Sequence, residues 1–370
     1  MKLDGIRVVD LSVFLPGPYL TMSMADHGAE IIKIEGPEGG DPGREIGLSD
    51  GPETVFFRNL NRGKKSVQLN LKDPAGRQAL LELCATADVF VESFRPGVAK
   101  RLGVDYETLS RLNPRLVYCS ISAFGQDGPY RERPAHDLAV EALSGVLGIT
   151  QGGDGAPTIP GIPIADVVAA LQGLSGVLMA LLRRVTTGKG DYLDISMQES
   201  LVAAAPNVMG PTMAERRQPV VKHERSTGGS AFYQIYECAD GRHLVLGGQE
   251  IKFVRTLLTK LDRLDFLPLC ERGPGPHQAP LIAYLKDFFK TRPLDTWIDW
   301  FGALDVCFAP VKTLPEALDD PQLASRGFVL ADAAGRRYLA SAIRFHDEPA
   351  RVSLTAPALG EHNAAYLAPS

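Results

Sequence analysis

Residues 6–35 read IRVVDLSVFLPGPYLTMSMADHGAEIIKIE, and the fold turns on this stretch. Ile6, Val8 and Val9 form a short β-branched run, and Pro16-Gly17-Pro18 then breaks the chain. A helical spacing from Tyr19 to His27 ends at Gly28, a residue suited to the left-handed turn that closes a helix. Ile31-Ile32-Lys33-Ile34 follows as a second strand. A strand, a helix and a strand so closely spaced make a right-handed crossover with parallel strands.

The same alternation continues outward. Ser66 to Leu71 reads as a strand, Pro74 to Thr86 as a helix and Asp88 to Glu92 as a strand. Short helices over Val98 to Leu102 and Tyr106 to Leu112 precede the strand Leu116 to Ser122. Strands alternating with helices predict a doubly wound α/β layer. From His136 to about Leu182 two long helical stretches flank a Gly/Pro-rich connection, Gln151 to Pro163, and Tyr192 to Ser196 alternates as a further strand. We therefore read 1–200 as a large domain and 201–228, polar and charged, as a linker. Residues 229–325 read as a smaller α+β domain, with strands at Ala231–Tyr236 and His243–Leu246 and helices at Ile251–Leu261 and Gln278–Phe289. The tail 326–370 has strand character and returns to the large domain.

Composition narrows the function. At about 150 residues per domain, 370 residues suit two or three domains. A net charge of −5 with no basic tract argues against a nucleic-acid partner. With 45% hydrophobic and 22% charged residues the chain has the balance of a soluble globular protein, not of a disordered one. Cys84, Cys119, Cys238, Cys270 and Cys307 are far apart and odd in number, which indicates reduced thiols and neither a metal site nor a redox motif. Acidic residues near the amino terminus do not suit a secretion signal. The apolar run Val167 to Leu182, interrupted by Gln172 and glycines, is too short for a membrane span. The expected setting is cytoplasmic.

Several familiar catalytic signatures are absent: no G-x-G-x-x-G, G-x-x-x-x-G-K-[ST] or H-E-x-x-H occurs. Gly247-Gly248 and the other glycine pairs read as turns. Asp166 stands immediately before an apolar helix, where a carboxylate serves as a cap or, in an apolar pocket, as a nucleophile or proton carrier. His136-Asp137 opens the preceding helix; the histidine is either structural or a base, and the aspartate a first-turn acid. Glu250 is either a solvated charge at a helix start or a functional acid.

Taken in order, several segments resemble the family III CoA-transferases (CaiB/BaiF type), a group holding formyl-CoA and carnitine CoA-transferases and α-methylacyl-CoA racemase. They are Leu3–Leu11, Pro16–Pro18, Asp26–Glu35, Gly40-Asp41, Asn61–Asp73, Glu92–Val98, Asn113–Tyr118, Phe124–Pro129, Thr187–Gly190 and Gly360–His362. The resemblance implies a Rossmann-like large domain built from both chain ends, a smaller domain between them, and an interlocked homodimer. It implies acyl-CoA as substrate, a carboxylic acid as acceptor, and no metal. Asp166 matches the aspartate that carries CoA as a thioester, with the amides of Gly247 and Gly248 placed to stabilise an oxyanion. Leu15, Pro16, Lys72, Phe94, Arg95 and Arg101 match positions along the CoA path, and Gly36 replaces an arginine of related chains. A racemase is the alternative, in which His136, beside Asp137, and Asp166 form a two-base pair and Glu250 matches a racemase glutamate. A silent CoA-binding protein is the remote third reading. Leu15 also replaces a substrate-contacting glutamine of formyl-CoA transferase, and Val167–Ala170 replaces the racemase glycine run.

Overall fold

β1 (Arg7–Asp10), α1 (Pro16–Asp26) and β2 (Glu30–Glu35) form the crossover, with Val8 opposite Ile31 and Val9 opposite Ile32 in parallel register. α1 begins at Pro16, ahead of the expected Tyr19, because prolines suit a first helical turn whose amides have no partner. The computed structural model describes residues 1–367. Their contacts divide into two units: Met1–Thr150, Thr158–Ala204 and 321–367 in one, Gln151–Pro157 and Ala205–Asp320 in the other.

The first unit continues through α2 (Val55–Asn61), β3 (Lys65–Gln68), α3 (Pro74–Ala85), β4 (Val89–Glu92), α4 (Val98–Leu102), α5 (Tyr106–Leu112) and β5 (Val117–Ser122). α6 (Asp137–Ser144), α7 (Ile164–Thr187), β6 (Tyr192–Ser196) and α8 (Met197–Ala203) complete its helical layers and sheet. Six parallel strands lie in the order β3-β2-β1-β4-β5-β6, so the order reverses at the β1–β4 pair. Strand side chains alternate between faces. Val8, Ile31 and Val89 therefore pack with Leu20 and Val177 on one side, and Val9, Ile32 and Phe90 with Leu80 and Leu109 on the other. Burial on both faces explains the apolar runs Val8-Val9, Ile31-Ile32 and Val89–Val91 in the central strands.

α7 lies against this sheet through small residues. A Cβ on Gly173 would stand 2.8 Å from the end of the Leu20 side chain, which would have to shift to admit it. At 24 residues α7 is longer than the apolar run suggests, and by length and composition it would reach across a membrane. α6, by contrast, is short, because Gly145 takes a φ of 81° and ends it. The tail docks on the first unit: the Gln68 amide donates to Asn363 Oδ1 at 2.8 Å, and the Tyr366 hydroxyl to Glu30 Oε1 at 2.6 Å.

In the second unit, β7 (Tyr233–Glu237) and β8 (His243–Gly247) pair antiparallel, and β9 (Phe308–Pro310) adds a third strand. α9 (Pro206–Glu215) occupies part of the stretch read as linker, so that stretch is partly helical. α10 (Ile251–Lys260), α11 (Leu267–Glu271), α12 (Ala279–Phe289) and α13 (Leu294–Phe301) enclose a core of Phe232, Tyr236, Leu257, Leu285, Phe289 and Trp297.

Candidate active site

Two adjoining cavities open in the first unit. One, of about 350 Å³, lies past the carboxyl ends of β1, β2 and β3 and is lined by Leu11, Val13, Ile34, Gly36, Lys72 and Phe94 among others. The second, of about 960 Å³, shares Val13 and Phe94 and adds Pro16, Arg95, His136 and Asp166. In open parallel sheets the carboxyl ends of the strands, at the point where their order reverses, form the usual ligand crevice.

Buried charges fix the loop between β1 and α1 at this junction. Lys33 Nζ lies 2.8 Å from Asp41 Oδ2 and donates to the Ser12 carbonyl at 2.9 Å. Lys64 Nζ donates to Asp10 Oδ2 at 3.1 Å. Burial pushes the Asp10 carboxyl up, but Lys64, Lys33 and the Ser12 and Thr21 hydroxyls outweigh it and hold the group at about 2. The loop turns tightly: a Cβ on Gly17 would fall 2.1 Å from the Ser12 Cβ, and Phe14 sits at φ 63°. A positive φ is unfavourable for a phenylalanine and is sustained by its surroundings. The Phe14 amide reaches Asp41 Oδ1 at 3.4 Å, and its ring meets His136 edge-on with centroids 5.8 Å apart.

Asp166 is the third residue of α7. Pro163, at the cap position, offers no side-chain acceptor. Asp137, in the first turn of α6, supplies it: its Oδ1 accepts the Ala165 amide at 2.8 Å and the Asp166 amide at 3.1 Å. The capping role open to Asp166 from the sequence thus belongs to Asp137, and the Asp166 side chain is half-buried on the wall of the larger cavity. Burial, then the neighbouring Asp137 and Glu141 carboxyls, push the Asp166 carboxyl up to about 7. Such a carboxylate is poorly solvated and ionises only near neutrality, the state in which it attacks a carbonyl readily.

The other candidates are distributed as follows. Lys72 lines the smaller cavity, Arg95, Pro16 and His136 the larger, and Phe94 both. Leu15 is the residue before α1 and lines neither, and Arg101 lies exposed on α4, also outside both. At Gly36 the space for a side chain is open. Gly247, Gly248 and Glu250 belong to the second unit. The Gly247 amide, expected as an oxyanion donor, donates to the Cys307 carbonyl at 2.8 Å, because β8 is the central strand of its sheet. A Cβ on Gly248 would stand 2.7 Å from Cys307, and Glu250 is an exposed residue preceding α10 with no capping bond from its carboxylate. Phe14, Lys33, Asp41 and Glu141 were not singled out from sequence. Glu141 alone left a signal there, an acid on the buried face of an amphipathic helix.

Comparison with known proteins follows the same lines. A family model, CoA-transferase family III, matches residues 3–363. Succinyl-CoA:glutarate CoA-transferase of Mus musculus is 31% identical over 334 residues, spanning 89% of this chain and 76% of the relative. Acetyl-CoA:oxalate CoA-transferase of Acetobacter aceti is 34% identical over 341 residues, 88% of this chain and 85% of the relative. A CAIB/BAIF family protein from Brucella suis superposes with a TM-score of 0.84 at 30% identity, covering 98% of this chain and 97% of that one. The racemase alternative finds no support among these relatives.

Proposed function

The chain belongs to CoA-transferase family III and moves CoA between an acyl-CoA and an acid, and from that premise we propose that Asp166 carries the CoA as a thioester. The observation that carries the proposal is the Asp166 carboxyl at the head of α7, on the wall of a cavity that adjoins the one at the strand ends. The nucleotide end of CoA takes the smaller cavity beside Lys72, and the pantetheine arm passes Phe94 and Arg95 toward Asp166. Arginine and lysine suit phosphate oxygens at either point.

The Asp166 carboxylate attacks the thioester carbonyl, the carbon–sulfur bond breaks, and CoA thiolate leaves a mixed anhydride. The thiolate then attacks the Asp166 carbonyl and releases the donor acid as its carboxylate. The acceptor carboxylate attacks the resulting aspartyl-CoA thioester, and thiolate returned to the new anhydride yields the new acyl-CoA and free Asp166. Each difficult exchange is divided into two easier ones. Short dicarboxylates are the substrate class we favour. The larger cavity is lined by Arg95, Arg131 and Arg133, and Asp166 is its one acidic residue. Two of the relatives act on glutarate or oxalate by name. A homodimer in a reducing cytoplasm completes the reading, in keeping with five unpaired cysteines.

The test is a panel of succinyl-, acetyl- and butyryl-CoA donors against oxalate, succinate, glutarate and butyrate, with intact-protein mass measured after donor alone. A CoA-sized adduct on the wild-type protein that is missing from Asp166→Ala supports the thioester. Full turnover by Asp166→Ala refutes it.

A further inference from the structure

Glu141 lies one helical turn beyond Asp137 on α6, and residues four apart on a helix stack on one face. Its side chain is fully buried. Among the described residues, neither of its oxygens has a hydrogen-bond partner of good geometry. The Asp137 carboxyl on its own helix and the Ile164 amide at the head of α7 face it, and the Asp166 carboxyl lies within reach of its charge. No cation is among the groups acting on it. A carboxylate so placed is too costly to keep, whereas a carboxylic acid is affordable and has a proton to donate. The bonds that cap α7 fall on Asp137 Oδ1, which leaves Oδ2 to accept it.

We propose that Glu141 is a positioning residue that retains its proton and donates it to Asp137, fixing Asp137 as the ionised cap of α7 and so aiming Asp166 into the cavity. The two carboxyls share one proton, since side by side and both ionised they would repel across a dry interior. Burial and the neighbouring Asp137 accordingly push the Glu141 carboxyl up to about 7. Only Asp166 touches the reacting thioester; Glu141 acts on it through Asp137. The proposal rests on Asp166 being the attacking carboxylate.

Glu141→Gln keeps a donor of the same shape, and Glu141→Leu keeps the bulk without the donor. With the best donor–acceptor pair from the panel, Gln is expected to retain kcat within about threefold. Leu is expected to lower kcat roughly ten- to a hundredfold while KM for the acyl-CoA stays within about twofold, the signature of a misaimed nucleophile. A Leu variant as active as wild type, or a Gln variant as poor as Leu, overturns the proposal. Infrared spectra of protein carrying isotope-labelled glutamate, taken at about pH 6 where an ordinary glutamate is ionised, give a second readout. A protonated-carboxyl band in the wild type that is lost in Glu141→Gln is expected, and its absence from the wild type overturns the proposal even if the Leu variant fails to fold. Turnover surviving in Asp166→Ala would sink the nucleophile reading, while the infrared band would still locate the proton.

Discussion

The Asp137 carboxylate accepts the backbone N–H of Asp166 at 3.1 Å and by the same proximity opposes ionisation of the Asp166 side chain. One contact therefore does two things. It anchors the start of α7, which would otherwise lack a side-chain cap, and it makes the carboxylate that the helix presents more basic.

The first consequence concerns rate against pH. Burial, Asp137 and Glu141 raise the Asp166 pKa to about 7, and the attacking form is the carboxylate. kcat/KM should climb as pH rises from about 5 toward 7, whereas an unperturbed aspartate would have reached its plateau near pH 5. A profile already flat between pH 5 and 8 would contradict this.

Stability should run the other way. A folded-state pKa raised from 3.8 to about 7 favours folding in full below about pH 4, and the contribution is lost as pH rises through about 7. Asp166→Asn removes the charge that causes the loss. It should melt higher than wild type at pH 8, by roughly 1–2 kcal/mol once water access to the cavity wall is discounted, and match it near pH 4. Thermal melts at the two pH values measure the difference; an Asn variant less stable at pH 8 would count against a strained Asp166 charge.

Asp137 separates the cap from the charge. Asp137→Asn keeps an oxygen for the Ala165 and Asp166 amides but removes the negative charge, so the rising limb of the pH–rate profile should move to lower pH. Asp137→Ala loses the cap as well and should cost about 1 kcal/mol of stability in addition. Denaturant melts and rate profiles of the two variants together read both effects; the same limb position in Asn and wild type would exclude the electrostatic half.

The sheet was legible because its strands are β-branched runs set off by Gly28, Pro74 and similar breaks, and because α4 and α5 carry their own boundaries. Asp166 was legible as a helix-start carboxylate, but its partner was not. The contact with Asp137 spans 29 residues and depends on where α6 ends, which Gly145 decides earlier than the apolar spacing suggests. Glu141 broke the pattern of apolar positions on α6, yet a buried acid has no meaning until its neighbours are known. The partner of the Gly247 amide was hidden for a related reason. Its acceptor, Cys307, stands just before β9, which is three residues long and ends in Pro310, too short and irregular to be read from alternation.

The outer face of α7 carries the last prediction. Leu171, Leu178, Met179, Leu182 and Val185 recur at helical spacing and stay exposed, Leu182 at 74% and Val185 at 82%. A contiguous apolar stripe of this kind marks a surface that another molecule covers, and a second copy of the chain is the occupant consistent with the interlocked dimer implied by the family resemblance. Light scattering behind size exclusion should give twice the chain mass of 39.9 kDa. A dimer of linked chains, which part only by unfolding, would hold that value on dilution to nanomolar protein, unlike a dimer held by surface contact alone. Leu182→Glu with Val185→Glu should yield monomer or insoluble protein, since two desolvated charges without partners are too costly at such an interface. A wild-type monomer, or a soluble double variant that remains a full dimer, would remove α7 from the interface.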